Sequence, residues 1–517
     1  MIKTAVVVVS GAGVGRSARQ KRDRMQIGFV RNVSAVTTGL FVSLATAWAQ
    51  TNQPASLSAG GAALPNETHA SGLLPPRPKW LTELSLGFRE GFDNNVYASG
   101  VDWKYYPTSY KGPYPGSVTA EKNQGSFFET LSPKLAVDPA KFLGEDSMLK
   151  QLAFSYAPDF VFYNSAPSES YMAHRLASTI AATCDDLSFL LDEGFTYIDG
   201  DKYGPTYPGK YYSVPGQGIL RERREQWQDR TTASLTYDQE QWFLRPAFSL
   251  LDYDLKTEQL AVPTAETGYL NYVDRYDVNG GADVGYKVMK DFSVTVGYRA
   301  GYQYQQKLPL TVDPYGQSAS SDYQRLLLGF EGRPVNWLTV KFQAGPDFRD
   351  YNADAPVRDR NPVTFYGEGS LTAKASADDT ISFNYRQWRW VSSTGCSPDN
   401  ESSYDLGYKH RLTDQWSAKL GARVQSADYS CGESWTSGNH NPAAALPYYK
   451  NDWFYVFSAG VQYDVTANLS LDIAYVASLG RNAQDAADLA KMSGNQLPAL
   501  KREFDDQVVS LGAKFKF

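Results

Sequence analysis

The sequence is poor in the residues that build metal centres and disulfide scaffolds. It has three cysteines and four histidines in 517 residues. His69, His174, His410 and His440 lie far apart, without ligand spacing, so neither a metal site nor any other cofactor is expected. Net charge is only −6, which leaves no electrostatic footprint for nucleic acid. Long apolar runs are missing as well, and mean hydropathy is −0.43, as for a soluble chain. What the sequence does have is 35 Tyr, 25 Phe, 11 Trp and 42 Gly, a mixture that suits sheets better than helices.

The front end reads as a targeting segment. From Met25, Arg31 precedes an apolar stretch that ends in the small-residue site Ala47-Trp48-Ala49. This is the layout of a secretory signal peptide, too short for the ~20 clean apolar residues of a membrane-spanning helix. The expected organisation is a signal region over 1–49 with its true start at Met25, a flexible periplasmic leader over 50–80, and one folded unit over 81–517.

Beyond the leader the dominant period is two. From Phe292 to Tyr304 the even positions are aromatic or aliphatic, while the odd ones are Ser, Thr, Gly, Arg and Gln. Leu338 to Phe348, Trp416 to Val424, Trp453 to Val465 and Leu469 to Leu479 repeat the pattern. A soluble sandwich would alternate too, so the connections must decide. Short turns (464–468, 413–415, 377–379, 333–336, 289–291, 238–241, 183–186) alternate with longer links such as 482–500, 430–450, 393–401, 200–223 and 98–125. Only the turn at 138–147 is long where a short one is expected. This asymmetry predicts an all-β transmembrane antiparallel up-and-down β-barrel of about 18 strands, with short periplasmic turns and long extracellular loops. Trp242, Phe292, Trp337 and Trp416 beside short turns fit a periplasmic aromatic girdle. Pro133, Pro158 and Pro246 fall inside strands, where each removes a ladder donor, and bulges are expected to absorb them.

The last segment alternates to its final residue, with Val509, Leu511, Ala513, Phe515 and Phe517 on one face. Lipid cannot satisfy a sheet edge, so the last strand must pair with the first. The same residues look like the C-terminal signal that barrel-assembly machinery reads. The stretches GFREGFDNNVY (Gly87–Tyr97) and RLASTIAATCDDLSFLLDEGFTYIDG (Arg175–Gly200) resemble the porin type 2 family of Gram-negative outer-membrane β-barrels. That resemblance implies a channel in the outer membrane, with the lipid bilayer and lipopolysaccharide as surroundings. It supplies no catalytic residues. The Asp-Asp-Asn-like cluster of an early strand in that family reads Asp93, Asn94, Asn95 here.

A lumen this wide cannot be filled by wall side chains, so passive diffusion of small hydrophilic solutes is the leading reading. Strand parity turns Arg89, Arg275, Arg299, Arg325, Lys341, Arg349 and Arg423 inward, with Asp347, Glu368 and Asp472 among the acids facing them. A slight basic excess predicts mild anion preference; the alternative is that these charges pair across the wall and only solvate it. Two loops, Trp103–Ser117 and Lys202–Gly218, carry Tyr105, Tyr106, Tyr211 and Tyr212. Their ring faces suit a saccharide-guiding vestibule, or they pack on each other. Cys396 and Cys431 fall in two long loops on the oxidising side, where a disulfide could join them, whereas Cys184 in a short turn stays unpaired. A rim enzyme would need a nucleophile beside His174, or beside His440 with Ser437 and Glu433, a weak constellation, so no enzymatic activity is expected. A non-conducting structural or export component is the remaining alternative.

Overall fold

The computed structural model describes residues 78–96, 124–144, 146–200, 225–256, 273–307, 318–353, 355, 357, 359–391, 398–431, 448–484 and 504–517. They form nineteen strands: β1 (Leu81–Asp93), β2 (Ser126–Val137), β3 (Leu149–Tyr156), β4 (Asp159–Tyr163), β5 (Tyr171–Cys184), β6 (Leu187–Asp199), β7 (Gln226–Asp238), β8 (Trp242–Leu255), β9 (Arg275–Met289), β10 (Phe292–Gln305), β11 (Ser321–Val335), β12 (Leu338–Tyr351), β13 (Val363–Lys374), β14 (Asp379–Val391), β15 (Pro398–Arg411), β16 (Trp416–Cys431), β17 (Tyr448–Asp464), β18 (Leu469–Gln484) and β19 (Phe504–Lys516). Successive strands pair antiparallel, except that β3 and β4 both lie between β2 and β5, and β19 closes the sheet on β1, from Ser85 opposite Lys516 to Asp93 opposite Val508. The Phe517 N–H also donates to the Leu84 carbonyl at 2.9 Å. Closure explains the alternation that runs to the end of the chain: both edges of β19 carry a neighbour. The expected signal region over 1–49 and the expected leader as far as residue 77 lie outside the described residues.

The barrel has eighteen staves, because β3 and β4 are one stave interrupted at Ala157 and Pro158. Leu135 faces Tyr156 and Leu131 faces Phe160, which sets Pro133 directly opposite Pro158. Two residues without N–H groups share one gap, and the register is the same on either side of it. Ala157 still donates to the Arg175 carbonyl at 2.9 Å, so only one ladder opens. Pro246 behaves alike: the β7–β8 ladder breaks between Ser234–Ala247 and Tyr237–Leu244, while Pro246 keeps its place opposite Ala282 of β9. The bulges expected at these prolines are absent; an unshifted gap costs one or two bonds and preserves the facing of every later side chain.

The outward face is apolar. Leu326, Leu328 and Phe330 of β11 are 52, 63 and 39 % exposed, whereas Tyr323, Arg325 and Leu327 between them are at most 4 % exposed. Trp242, Trp337 and Trp416 are exposed beside the short turns, with Trp416 against Tyr463 at 4.6 Å. At the opposite end His174 stacks between Tyr156 and Tyr197, with ring centroids 6.1 Å apart on both sides. Among the described residues no helix is long and apolar enough to cross a membrane; the strands cross it. The long turn after β2 is shaped by a 3-10 turn over Pro139–Phe142.

One strand leaves the wall. The β13–β14 ladder ends at Gly367 opposite Gln387, although β14 runs on to Val391. From there β14 stays paired only with β15, which begins at Pro398, inside the link expected over 393–401. Residues 388 to 391 are buried on both faces: Trp388 5 %, Arg389 7 %, Trp390 2 % and Val391 0 % exposed. A wall strand shows one face to lipid, so this run lies inside the barrel.

Candidate functional site

The inward face of the wall carries alternating charges that pair with each other. Arg89 of β1 meets Asp472 of β18 at 2.7 Å and donates to Ser510 of β19 at 2.8 Å. Glu83 is held by Lys134 at 2.6 Å and Lys514 at 2.8 Å. Arg245 of β8 grips Glu331 of β11 with two bonds, 2.7 and 2.9 Å, and meets Asp283, which also takes Arg299 at 2.8 Å. Arg175 pairs with Asp159, and Arg423 with Asp405. Most of these contacts join adjacent staves, but Arg89–Asp472 spans two and Arg245–Glu331 three, which is possible only on a shared concave face. Opposite signs interleave, so this part of the wall presents no ring of one sign. The expectation that the charges pair across the wall therefore describes most of it.

Lysines at the periplasmic end are different. Lys374, Thr380, Lys409 and Lys419 stand in one register row across β13 to β16. Lys374 and Lys409 are exposed on the inward face, as is Lys341. Lys419 reaches Gln462 at 3.4 Å. Among the described residues none of these four lysines has an ion pair within 4.0 Å.

Towards the outer end the interior fills. Asp347 of β12 accepts from Arg325 Nε at 2.9 Å and from Arg349 Nε and Nη2 at 2.9 and 2.8 Å. All three side chains are almost fully buried. The Tyr323 ring lies between the two guanidiniums, 4.0 Å from Arg325 and 4.7 Å from Arg349, and its hydroxyl donates to Asp277 at 2.8 Å. Tyr366 covers the other face of Arg325 at 4.1 Å. Flat guanidiniums tolerate this burial because they stack on rings while their edges bind carboxylate. Glu368 accepts from Gln343 at 2.5 Å.

The inward run of β14 is docked on this layer. Arg349 Nη2 and Gln303 Nε2 both donate to the Arg389 carbonyl, at 3.0 and 2.9 Å, and Arg275 Nη1 donates to the Val391 carbonyl at 2.6 Å. Arg389 Nε in turn donates to the Tyr351 hydroxyl at 2.9 Å. Trp388, stacked 4.2 Å from Trp390, joins Tyr253, Leu327, Tyr351, Tyr366 and Val391 in one apolar cluster. Side chains of β9, β10 and β12 thus supply the carbonyls of Arg389 and Val391 with the donors that β13 no longer gives.

Apart from Arg389, parity places the barrel charges named above on the inward face, but in two settings. Arg89, Arg299, Arg423, Asp472 and Lys341 belong to the open wall, while Arg275, Arg325, Asp347 and Arg349 are covered by the β14–β15 run. The residues that do the covering, Trp388, Trp390, Tyr253 and Gln303, escaped sequence reasoning. One signal was legible: Arg389 sits on the lipid-facing parity of β14, where a guanidinium is costly. Val509, Leu511, Phe515 and Phe517 point outward, 48, 62, 37 and 45 % exposed, and Ala513 faces Phe88 and Leu471 across its two ladders. Tyr105, Tyr106, Tyr211, Tyr212, Cys396 and His440 lie outside the described residues, as does the side chain of Cys431. Cys184 is exposed and free.

A closed, even-staved antiparallel barrel, apolar outside and charged inside, is an outer-membrane protein, since lipid admits no open sheet edge. Within that class it is a wide barrel of eighteen staves with a polar interior. No family model matches the sequence, and no curated protein matches it. Among solved structures the chain is similar to the siderophore receptor PirA from Acinetobacter baumannii, at 9 % identity and TM-score 0.38 over 85 % of this chain and 81 % of that one. OccK3 (OpdO) from Pseudomonas aeruginosa gives 10 % identity and 0.37 over 84 % and 96 %. OpdK from the same organism, solved with vanillate, gives 10 % and 0.37 over 84 % and 98 %. These likenesses are too loose to assign a role.

Proposed function

We propose that the barrel is a channel through which small hydrophilic solutes diffuse passively, with a mild preference for anions. The observation that supports this reading is the lysine row Lys374, Lys409 and Lys419 with Lys341 nearby, inward and without ion pairs among the described residues, in an interior whose other charges largely neutralise each other. Unneutralised charge of one sign sets the ion preference of a water-filled pore. No catalytic role belongs to this reading. His174 faces outward, hydrogen-bonded to the Tyr156 hydroxyl at 2.8 Å and ringed by Tyr197 and Phe160, with no serine or carboxylate bonded to it among the described residues. Single-channel recording of the refolded protein in a salt gradient tests both parts. Conductance with a reversal potential on the anion side is expected; a cation-side potential rejects the preference, and silence rejects the channel in favour of a structural or export component.

A further inference from the structure

The seam between β13 and β14 leaves two half-strands without each other. On β13, Val363 to Tyr366 keep their ladder to β12 but have no strand on the other edge among the described residues. On β14, Trp388 to Val391 keep their ladder to β15 and turn their other edge to Arg349, Gln303 and Arg275. The register that stops at Gly367–Gln387 has no bulge. Continued, it would set Tyr366 against Trp388, Phe365 against Arg389, Thr364 against Trp390 and Val363 against Val391. Nothing in the sequence forbids that continuation, for neither half-strand contains a proline or needs a change of facing.

We propose that Trp388–Val391, carried with its partner Pro398–Glu401, is a gate that moves between two docks, the buried polar layer seen here and the edge of β13 over Val363–Tyr366. In the inner dock the run crosses the interior and narrows it. In the wall dock it completes the β13–β14 ladder and clears the interior. Both docks satisfy the carbonyls of Arg389 and Val391, one with side-chain donors and one with backbone donors, so neither state leaves these two carbonyls bare and two packings of one element compete. The hinge falls at Gln387, where Gly367 opposite leaves room for the Tyr385 ring: a Cβ on Gly367 would come within 3.1 Å of it. In the wall dock Trp388 and Trp390 remain inward and Arg389 moves to the outer rim, where a long cationic side chain can snorkel toward lipopolysaccharide phosphates.

This gate deepens the channel reading and rests on it, so its test has a readout that needs no current. In a background with Cys184, Cys396 and Cys431 replaced by Ser, the pair Val363→Cys and Val391→Cys changes little volume. Val363 is 63 % exposed toward lipid and Val391 fully buried inside, so only the wall dock brings the two together. Oxidation in liposomes is expected to cross-link them, seen as a gel shift that reducing agent reverses, and to raise single-channel conductance at least twofold over the same protein reduced. Failure to cross-link while both thiols are present overturns the proposal, and so does a cross-linked barrel that conducts like the reduced one. Gln303→Leu provides an independent arm without cysteines: removing one donor to the Arg389 carbonyl is expected to lengthen high-conductance dwells severalfold, and unchanged dwells overturn the gate. If the cross-link forms but neither protein conducts in any state, the channel reading fails with it, whereas current without cross-linking removes the gate alone.

Discussion

The two halves of β14 follow different rules. From Asp379 to Gln387 it is an ordinary stave, with Phe383 36 % exposed to lipid and ladders on both edges. From Trp388 to Val391 the same strand carries two tryptophans on its inward parity and Arg389 on its lipid-facing one, and it is buried on both faces. The inward face of β12 shows the counterpart: Lys341 is exposed, while Asp347 and Arg349 six and eight residues on are sealed beneath the incoming run. The alternation runs on through both halves, but its apolar and polar faces exchange. The difference comes from which dock supplies the backbone partners, and it divides the interior into an open, charge-paired wall and a covered, stacked layer.

The sharpest way to break this comparison is Asp347→Ala, which strands two buried guanidiniums. Losing one partner of such a buried set costs about 3–5 kcal/mol, so urea unfolding of the folded barrel should shift strongly, whereas Asp472→Ala on the exposed wall should shift it by under about 1 kcal/mol. If the two variants unfold alike, the covered layer is not distinct from the wall. Trp390→Ala comes next. It opens a cavity in the apolar cluster and should cost about 3 kcal/mol. Tryptophan fluorescence should report loosening of that cluster, and Phe383→Ala lower on the strand should leave the signal in place.

Lys409→Glu with Lys419→Glu leaves stability nearly untouched and addresses the open wall alone. The reversal potential in a tenfold salt gradient should swing to the cation side; if it does not move, the lysine row does not set selectivity. The smallest effect is expected on the outside. Glu193 of β6 stands on the lipid-facing parity in a row with Ser178 and Thr231, is 8 % exposed, and has no ion pair among the described residues. Glu193→Leu should stabilise the barrel by about 1 kcal/mol, read as a higher unfolding midpoint. A loss of stability instead would mean that the carboxylate has a use at the barrel surface.

Much of the wall was legible residue by residue. Arg245, Asp283, Arg299 and Glu331 all fall inward by parity, and the structure joins them into one network. Parity could not say that Asp347 and Arg349 would be dry, because their cover comes from β14 and not from β12 itself. Nor could it say that Pro133 and Pro158 would share one gap, which requires the register between distant strands.

By itself the sequence determined the class: a period of two held to the final phenylalanine, with short and long connections in turn, leaves a chain in lipid no option but a closed sheet, because every backbone group must find its partner within the protein. Only the tertiary structure decided where that sheet opens. Whether Trp388–Val391 takes its bonds from β13 or from Arg275, Gln303 and Arg349 depends on side chains that sequence keeps far apart and folding brings to one point inside the barrel.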